Sequence, residues 1–288
     1  MAKAGANECP VPNGILVIIG GKENKDDQPQ QEMEPENYVP MEILKTFIGL
    51  VKHKEPVIEV ITTASSEGDE SFAEYKKIFH KLGIQNVGHI HHKMRKEVLE
   101  DNLEERVNAA HAFFFSGGDQ LLLTSLYGGS AFLTRLKERY ISDKIIIGGT
   151  SAGAMALSTP MIYAGSKDVS QVTGEIKVTT GLEFLKDVCI DTHFVDRGRF
   201  ERLAQVIASN PTSVGVGIEE DTAVIVRNGM EGEVIGNGTV IVIEGGDIDA
   251  SNINQFGNNQ RITIRNLRVS ILAKGEKYNI PQSNPPHK

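Results

Sequence analysis

The chain is short of several things, and each shortage excludes a class of role. Its 288 residues include only two cysteines, Cys9 in a polar leader and Cys189 in an apolar run. Thiols so few and so differently placed exclude a disulfide framework and point to a reducing, cytoplasmic compartment. Basic residues are in deficit, 30 against 38 acidic, for a net charge of −8. That balance argues against nucleic acid or an anionic membrane as partner, because both need a basic face. No apolar run approaches the roughly 18 residues of a membrane helix. The opening "MAKAGANECPVPNG" has no apolar segment, so no signal peptide is expected. Internal repeats, low-complexity tracts and linkers are also missing. The expectation is one domain over 13–275, with loose tails at 1–12 and 276–288.

What is present reads as strands alternating with helices. Residues 14–19 (GILVII) form a buried-strand run ending in Gly20-Gly21, and a charged, Pro-rich loop follows over 22–40. A helix is expected over 41–51, a strand over 57–62 and a helix in "DESFAEYKKIFHKLG", with Gly83 as its C-cap. A strand at 87–91, a helix at 97–109 and a strand at 112–115 come next. One further helix, opening in "GGDQLLLTSLYGG", precedes the apolar run that begins at Ile145. This order predicts an α/β fold, a mostly parallel sheet with helices on both faces. Strands at 188–191 and 214–218 continue it. Short β runs then alternate with Asn-Gly and Gly-Gly turns and predict a C-terminal antiparallel β extension.

Ligands of such sheets sit outside the carboxyl ends of the strands. Three of those ends carry Gly20-Gly21, Gly117-Gly118 and the stretch "GGTSAGA". Gly149-Thr150-Ser151-Ala152-Gly153 fits G-x-S-x-G, the sharp strand-to-helix elbow that exposes a nucleophilic serine. The same residues also suit an ordinary strand-to-helix loop with Ser151 as N-cap.

A serine hydroxyl needs a base. His53, His80 and His111 lie in helical or helix-end contexts, and His287 is in the tail. His89, His91 and His92 lack a Cys or carboxylate at ligand spacing, so no metal is expected. His193 follows an apolar strand end in "CIDTHFVDRGRFERL", where a base should project. Arg197, Arg199 and Arg202 follow it, and guanidinium forks suit carboxylates.

Four motifs in one order resemble the peptidase family of cyanophycinases and dipeptidase E, whose fold is similar to class I glutamine amidotransferases. They are "FFFSGGDQ", "GGTSAGA", "IDTHFVDRGRFERL" and "GIEEDTA", and the Arg-rich segment makes the cyanophycinase branch the nearer. The resemblance implies a homodimeric serine exopeptidase that takes β-aspartyl-arginine dipeptides from multi-L-arginyl-poly-L-aspartate, without a cofactor. It implies Ser151 as nucleophile and His193 as base, with Gly118 and Ala152 N–H groups as oxyanion hole. Gln120, Asp191, Thr192, Arg197, Arg199 and Arg202 would contact substrate. The carboxylate expected beside the base is Glu175 or Asp168, with Glu175 preferred because Gly174 can bend the chain. Glu219-Glu220-Asp221 would either receive a substrate guanidinium or serve structural hydrogen bonds. A dipeptidase E-like aspartyl dipeptidase and a non-catalytic binding member of the same fold are the alternatives.

Overall fold

The computed structural model describes residues 10–26, 38–165, 172, 175–255 and 259–280. Its larger sheet has eight strands, in the order Lys277–Asn279, Glu231–Gly236, Thr222–Arg227, Ile15–Ile19, Ile146–Thr150, Ala112–Phe115, Val57–Ile61, Asn86–Ile90. The last five are mutually parallel, and the first three are joined antiparallel. The parallel strands are apolar because both faces are covered. Phe113, Phe115, Leu16 and Ile18 enter one core, while Phe114, Val17 and Ile19 enter the other.

A second sheet of four strands runs Val188–Thr192, Val214–Ile218, Val240–Glu244, Arg268–Leu272. Its first pair is parallel and the rest antiparallel. Val188, Ile190, Val216 and Val242 join Val224, Val226 and Val234 of the large sheet in one core. The predicted C-terminal extension is therefore divided between these two sheets and a two-stranded one, Ala250–Ser251 with Ile264–Arg265.

Three boundaries differ from expectation. The helix predicted over 97–109 is two, Arg95–Glu100 and Glu104–Ala109. Asp101 leaves the helical path toward His92, 3.2 Å from its Nε2, and Asn102 accepts the Glu104 N–H to start the second helix. Two helices rather than one precede the Ser151 strand, Gln120–Tyr127 and Ala131–Ser142. Gly129 at φ 69° breaks them apart, and the Ser130 hydroxyl caps the second by accepting from Leu133 N–H. The chain also stays in the sheet beyond 275, since Lys277–Asn279 pairs with Glu231–Gly236 and Ile280 is buried. That strand is too short and polar to show an apolar pattern.

Part of the 22–40 loop lies outside the described residues, as do Cys9 and Asp168. Cys189 is a buried free thiol. Among the described residues, no helix is long and apolar enough to cross a membrane.

Candidate active site

The small residues around Ser151 are required by packing. A Cβ on Gly148 would lie 2.8 Å from Phe47, one on Gly149 2.7 Å from the Gly153 carbonyl, and one on Gly153 2.3 Å from Phe115 O. The strand end thus presses directly on the helix Ala152–Ala156, and the turn between them is sharp. Ser151 takes φ 52°, ψ −115° and makes no side-chain cap bond. That conformation is costly for a side chain bearing Cβ and persists only where surroundings enforce it. Here the Ser151 N–H is fixed to Ile19 O at 3.0 Å. Of the two readings of the motif, the elbow is the one formed.

The freed Ser151 hydroxyl meets His193, with Oγ to Nε2 at 2.9 Å. His193 follows the strand Val188–Thr192 at φ 48°, and its N–H donates to Gly20 O at 2.9 Å. Its Nδ1 lies 2.6 Å from Glu220 Oε1. A carboxylate there fixes the Nδ1–H tautomer and leaves Nε2 free to accept the serine proton. Glu220 belongs to the turn between Val214–Ile218 and Thr222–Arg227. Its second oxygen, Oε2, is 2.9 Å from Lys22 Nζ.

Electrostatics suit a base that rests neutral. Burial lowers the His193 pKa, Arg197 and Arg199 push the same way, and the Glu220 hydrogen bond opposes them without cancelling the shift. For Glu220, partial burial raises the pKa, but bonds from Lys22 and His193 outweigh it and hold the carboxyl below its usual range.

Gly118 and Ala152 line a cleft of about 380 Å³ beside Ser151, with Gln120, Tyr163, Thr192 and the three arginines. Gly118 must be glycine, since at φ 138° its Cβ would fall 1.9 Å from Ala64 O. Ala152 is the first residue of its helix, so its N–H has no intrahelical acceptor. Gln120, also in the cleft lining, donates from Nε2 to Ile162 O at 2.8 Å.

Several expected contacts are redirected. Asp191 is fully buried and cannot reach a ligand. Its carboxylate takes Arg199 Nη1 at 3.1 Å, Arg202 Nε at 2.6 Å and Arg202 Nη2. The carboxylate that Arg199 and Arg202 hold is thus the chain's own, although both guanidiniums still border the cleft. Burial pulls Arg199 down to about 10 against the opposing pull of Asp191. Arg197 is exposed; its backbone N–H donates to His193 O at 3.0 Å, while its guanidinium makes no hydrogen bond or ion pair among the described residues. Thr192 is buried with its Oγ1 unpartnered among those residues. Glu175 is exposed and is not the carboxylate on His193.

Glu220 lies in the motif "GIEEDTA", but no local pattern marks it as the carboxylate beside His193. The signal was the parallel pairing of Thr192 with Ile218, which puts 193 and 219–221 at the same sheet end. The histidines of the "HIHH" stretch serve structure: His89 and His91 both meet Thr62 Oγ1, at 2.7 and 3.0 Å, and His92 meets Tyr127 and Asp101. Among the described residues no group of three or more His, Cys, Asp or Glu could hold a metal ion.

The profile of Peptidase family S51 matches residues 31–234. A protein named cyanophycinase from Synechococcus elongatus is 33% identical over 275 residues, covering 96% of this chain and 82% of its own. One from Geminocystis herdmanii strain PCC 6308 is 30% identical over 264 residues, 92% of this chain and 93% of that one. The crystal structure of a peptidase from an acI-B1 Actinobacterium shares the fold, with TM-score 0.65 and 20% identity over 94% of this chain and 98% of its own.

Proposed function

From the premise that this chain belongs to peptidase family S51 and is a serine-type peptidase, we propose that it is an exopeptidase releasing β-aspartyl-arginine dipeptides from multi-L-arginyl-poly-L-aspartate. One observation carries the chemistry: the continuous chain from Ser151 Oγ through His193 to Glu220, at 2.9 and 2.6 Å.

In this reading Ser151 Oγ attacks the scissile carbonyl carbon as its proton passes to His193 Nε2. The tetrahedral oxygen takes up negative charge between the Gly118 and Ala152 N–H groups, donors already fixed before reaction. The C–N bond then breaks, and the imidazolium gives its proton to the leaving amine. Water, deprotonated by the same Nε2, attacks the acyl-enzyme ester and restores Ser151. Glu220 stays ionised throughout and stabilises the imidazolium.

The polymer is favoured by the charge of the cleft. Three guanidiniums border it, and among the described residues one carboxylate, Asp191, meets two of them, so it suits a substrate that presents carboxylates, as each arginine of the polymer does with its α-carboxylate. The relatives named cyanophycinase agree with that choice. The test is purified protein with the polymer and products identified by mass. β-Aspartyl-arginine supports the reading, and hydrolysis of short Asp-Xaa peptides alone would replace it with an aspartyl dipeptidase.

A further inference from the structure

Glu220 is the most open of the ionisable groups behind Ser151, with 19% of its side chain exposed against 6% for His193. Its Oε1 is committed to the imidazole, while Oε2 faces outward and is met by Lys22 Nζ at 2.9 Å. Lys22 is itself a surface side chain, 69% exposed. Such pairs usually contribute little, because two mobile side chains must be ordered to form them.

Here the backbone does much of that ordering. Gly21 and Lys22 are consecutive residues of positive φ, 103° and 45°, and they fold the segment after Ile15–Ile19 back over the 219–221 turn. Asp221 N–H donates to Gly21 O at 2.9 Å, and Asn24 N–H donates to Asp221 Oδ1 at 2.7 Å. These bonds lie on either side of Lys22 and pin it opposite Glu220. The flanking acids are engaged elsewhere: Glu219 accepts from Thr239 N–H, and Asp221 also accepts from Asn237 Nδ2. On the imidazole side the charged groups are Arg197 and Arg199.

We infer that Lys22 is a positioning residue for the proposed serine chemistry, fixing the plane of the Glu220 carboxylate and keeping it ionised while His193 carries a proton. This rests on the triad reading above but not on the choice of peptide substrate. A cation behind the carboxylate favours the charged acid and opposes a second positive charge on the ring. Removing it therefore lets His193 protonate more readily at rest, and the acid limb of any Ser151-dependent rate moves to higher pH. The aim of Nε2 also loosens, and the plateau rate falls.

The test is the pH dependence of covalent labelling by a fluorophosphonate, read on purified wild type, Lys22→Met and Lys22→Arg. In that step the Ser151 Oγ–P bond forms, the P–F bond breaks, fluoride leaves and the proton goes to His193. For Lys22→Met the plateau rate should fall about 3- to 5-fold, the scale of an exposed ion pair. Its acid limb should rise by roughly half a pH unit, as for one charge about 7 Å away in largely aqueous surroundings. Lys22→Arg should restore both, and high salt should bring the wild type toward Lys22→Met. A Lys22→Met limb that coincides with the wild type, or a Lys22→Arg profile like that of Lys22→Met, overturns the role of Lys22 alone. A wild type that does not label at Ser151 overturns the triad reading and this inference with it.

Discussion

Gly21 lies directly against the His193 imidazole: a methyl group in place of its hydrogen would sit 2.4 Å from Cε1 and 2.5 Å from Nε2. Gly21 also holds φ 103°, which a residue with Cβ rarely adopts. Gly21→Ala should push the ring off Ser151 without touching the nucleophile or the acid. A displacement near 1 Å at a reacting group costs about 100-fold, so kcat/KM should fall on that order. Steady-state kinetics alongside a thermal melt separate this loss from unfolding; kcat/KM within a factor of two of wild type would contradict it.

Ser151→Ala should abolish turnover, by about 10⁶ in kcat, with the fold intact by circular dichroism. Ser151→Gly should do the same while raising Tm by a few degrees, because glycine relieves a backbone strain of order 1–3 kcal/mol at φ 52°. Residual activity within tenfold of wild type in either variant contradicts the mechanism.

Two carboxylates can be compared directly. Glu220→Gln replaces the charged acceptor on Nδ1 with a neutral amide that can donate to it and favour the wrong tautomer, and should cost about 10⁴ in kcat. Glu175→Gln changes an exposed side chain and should leave kcat within a factor of two. The opposite ranking would restore Glu175 as the acid.

The pH profile of kcat/KM follows from the lowered His193 pKa. In the proposed mechanism the active form is the neutral imidazole, so a pKa below the ordinary value of about 6.5 should keep the enzyme competent to lower pH. The rising limb should lie on the acid side of 6.5. A limb above that value would mean that Glu220 outweighs burial and the nearby arginines.

The arginines should divide by role. Arg202 is buried on Asp191, so Arg202→Ala leaves that interior carboxylate with Arg199 as its remaining guanidinium partner and should destabilise the fold by about 1.5–3 kcal/mol. Arg197 is exposed at the cleft, and Arg197→Ala should leave Tm unchanged while raising KM about 5- to 20-fold, a charged hydrogen bond partly screened by solvent. Thermal melts and Michaelis curves of both variants check the division, and a KM effect confined to Arg202→Ala would reverse it.

Much of this was legible from local pattern. The run 112–115 is a fully buried central strand, and apolar residues without alternation are what a doubly covered sheet requires. Ser151 and His193 were readable because each follows an apolar strand and stands at its carboxyl end. Glu220 was not, since its place depends on which strands are neighbours, and no local pattern states that Val214–Ile218 lies beside Val188–Thr192. The fate of Arg202 was hidden for a related reason. Nothing along the chain says that Asp191, eleven residues earlier, points inward and claims it.

The hydroxyl at Ser151 ends a strand of the large sheet and the imidazole at His193 ends a strand of the small one. Glu220 sits on the short crossing by which the chain passes from the second sheet back to the first. In the proposed mechanism, proton transfer over 2.9 Å therefore works as a vernier on the seating of one sheet against the other. Any slip between them large enough to open that gap would silence the enzyme while each sheet, taken alone, kept every rung of its ladder.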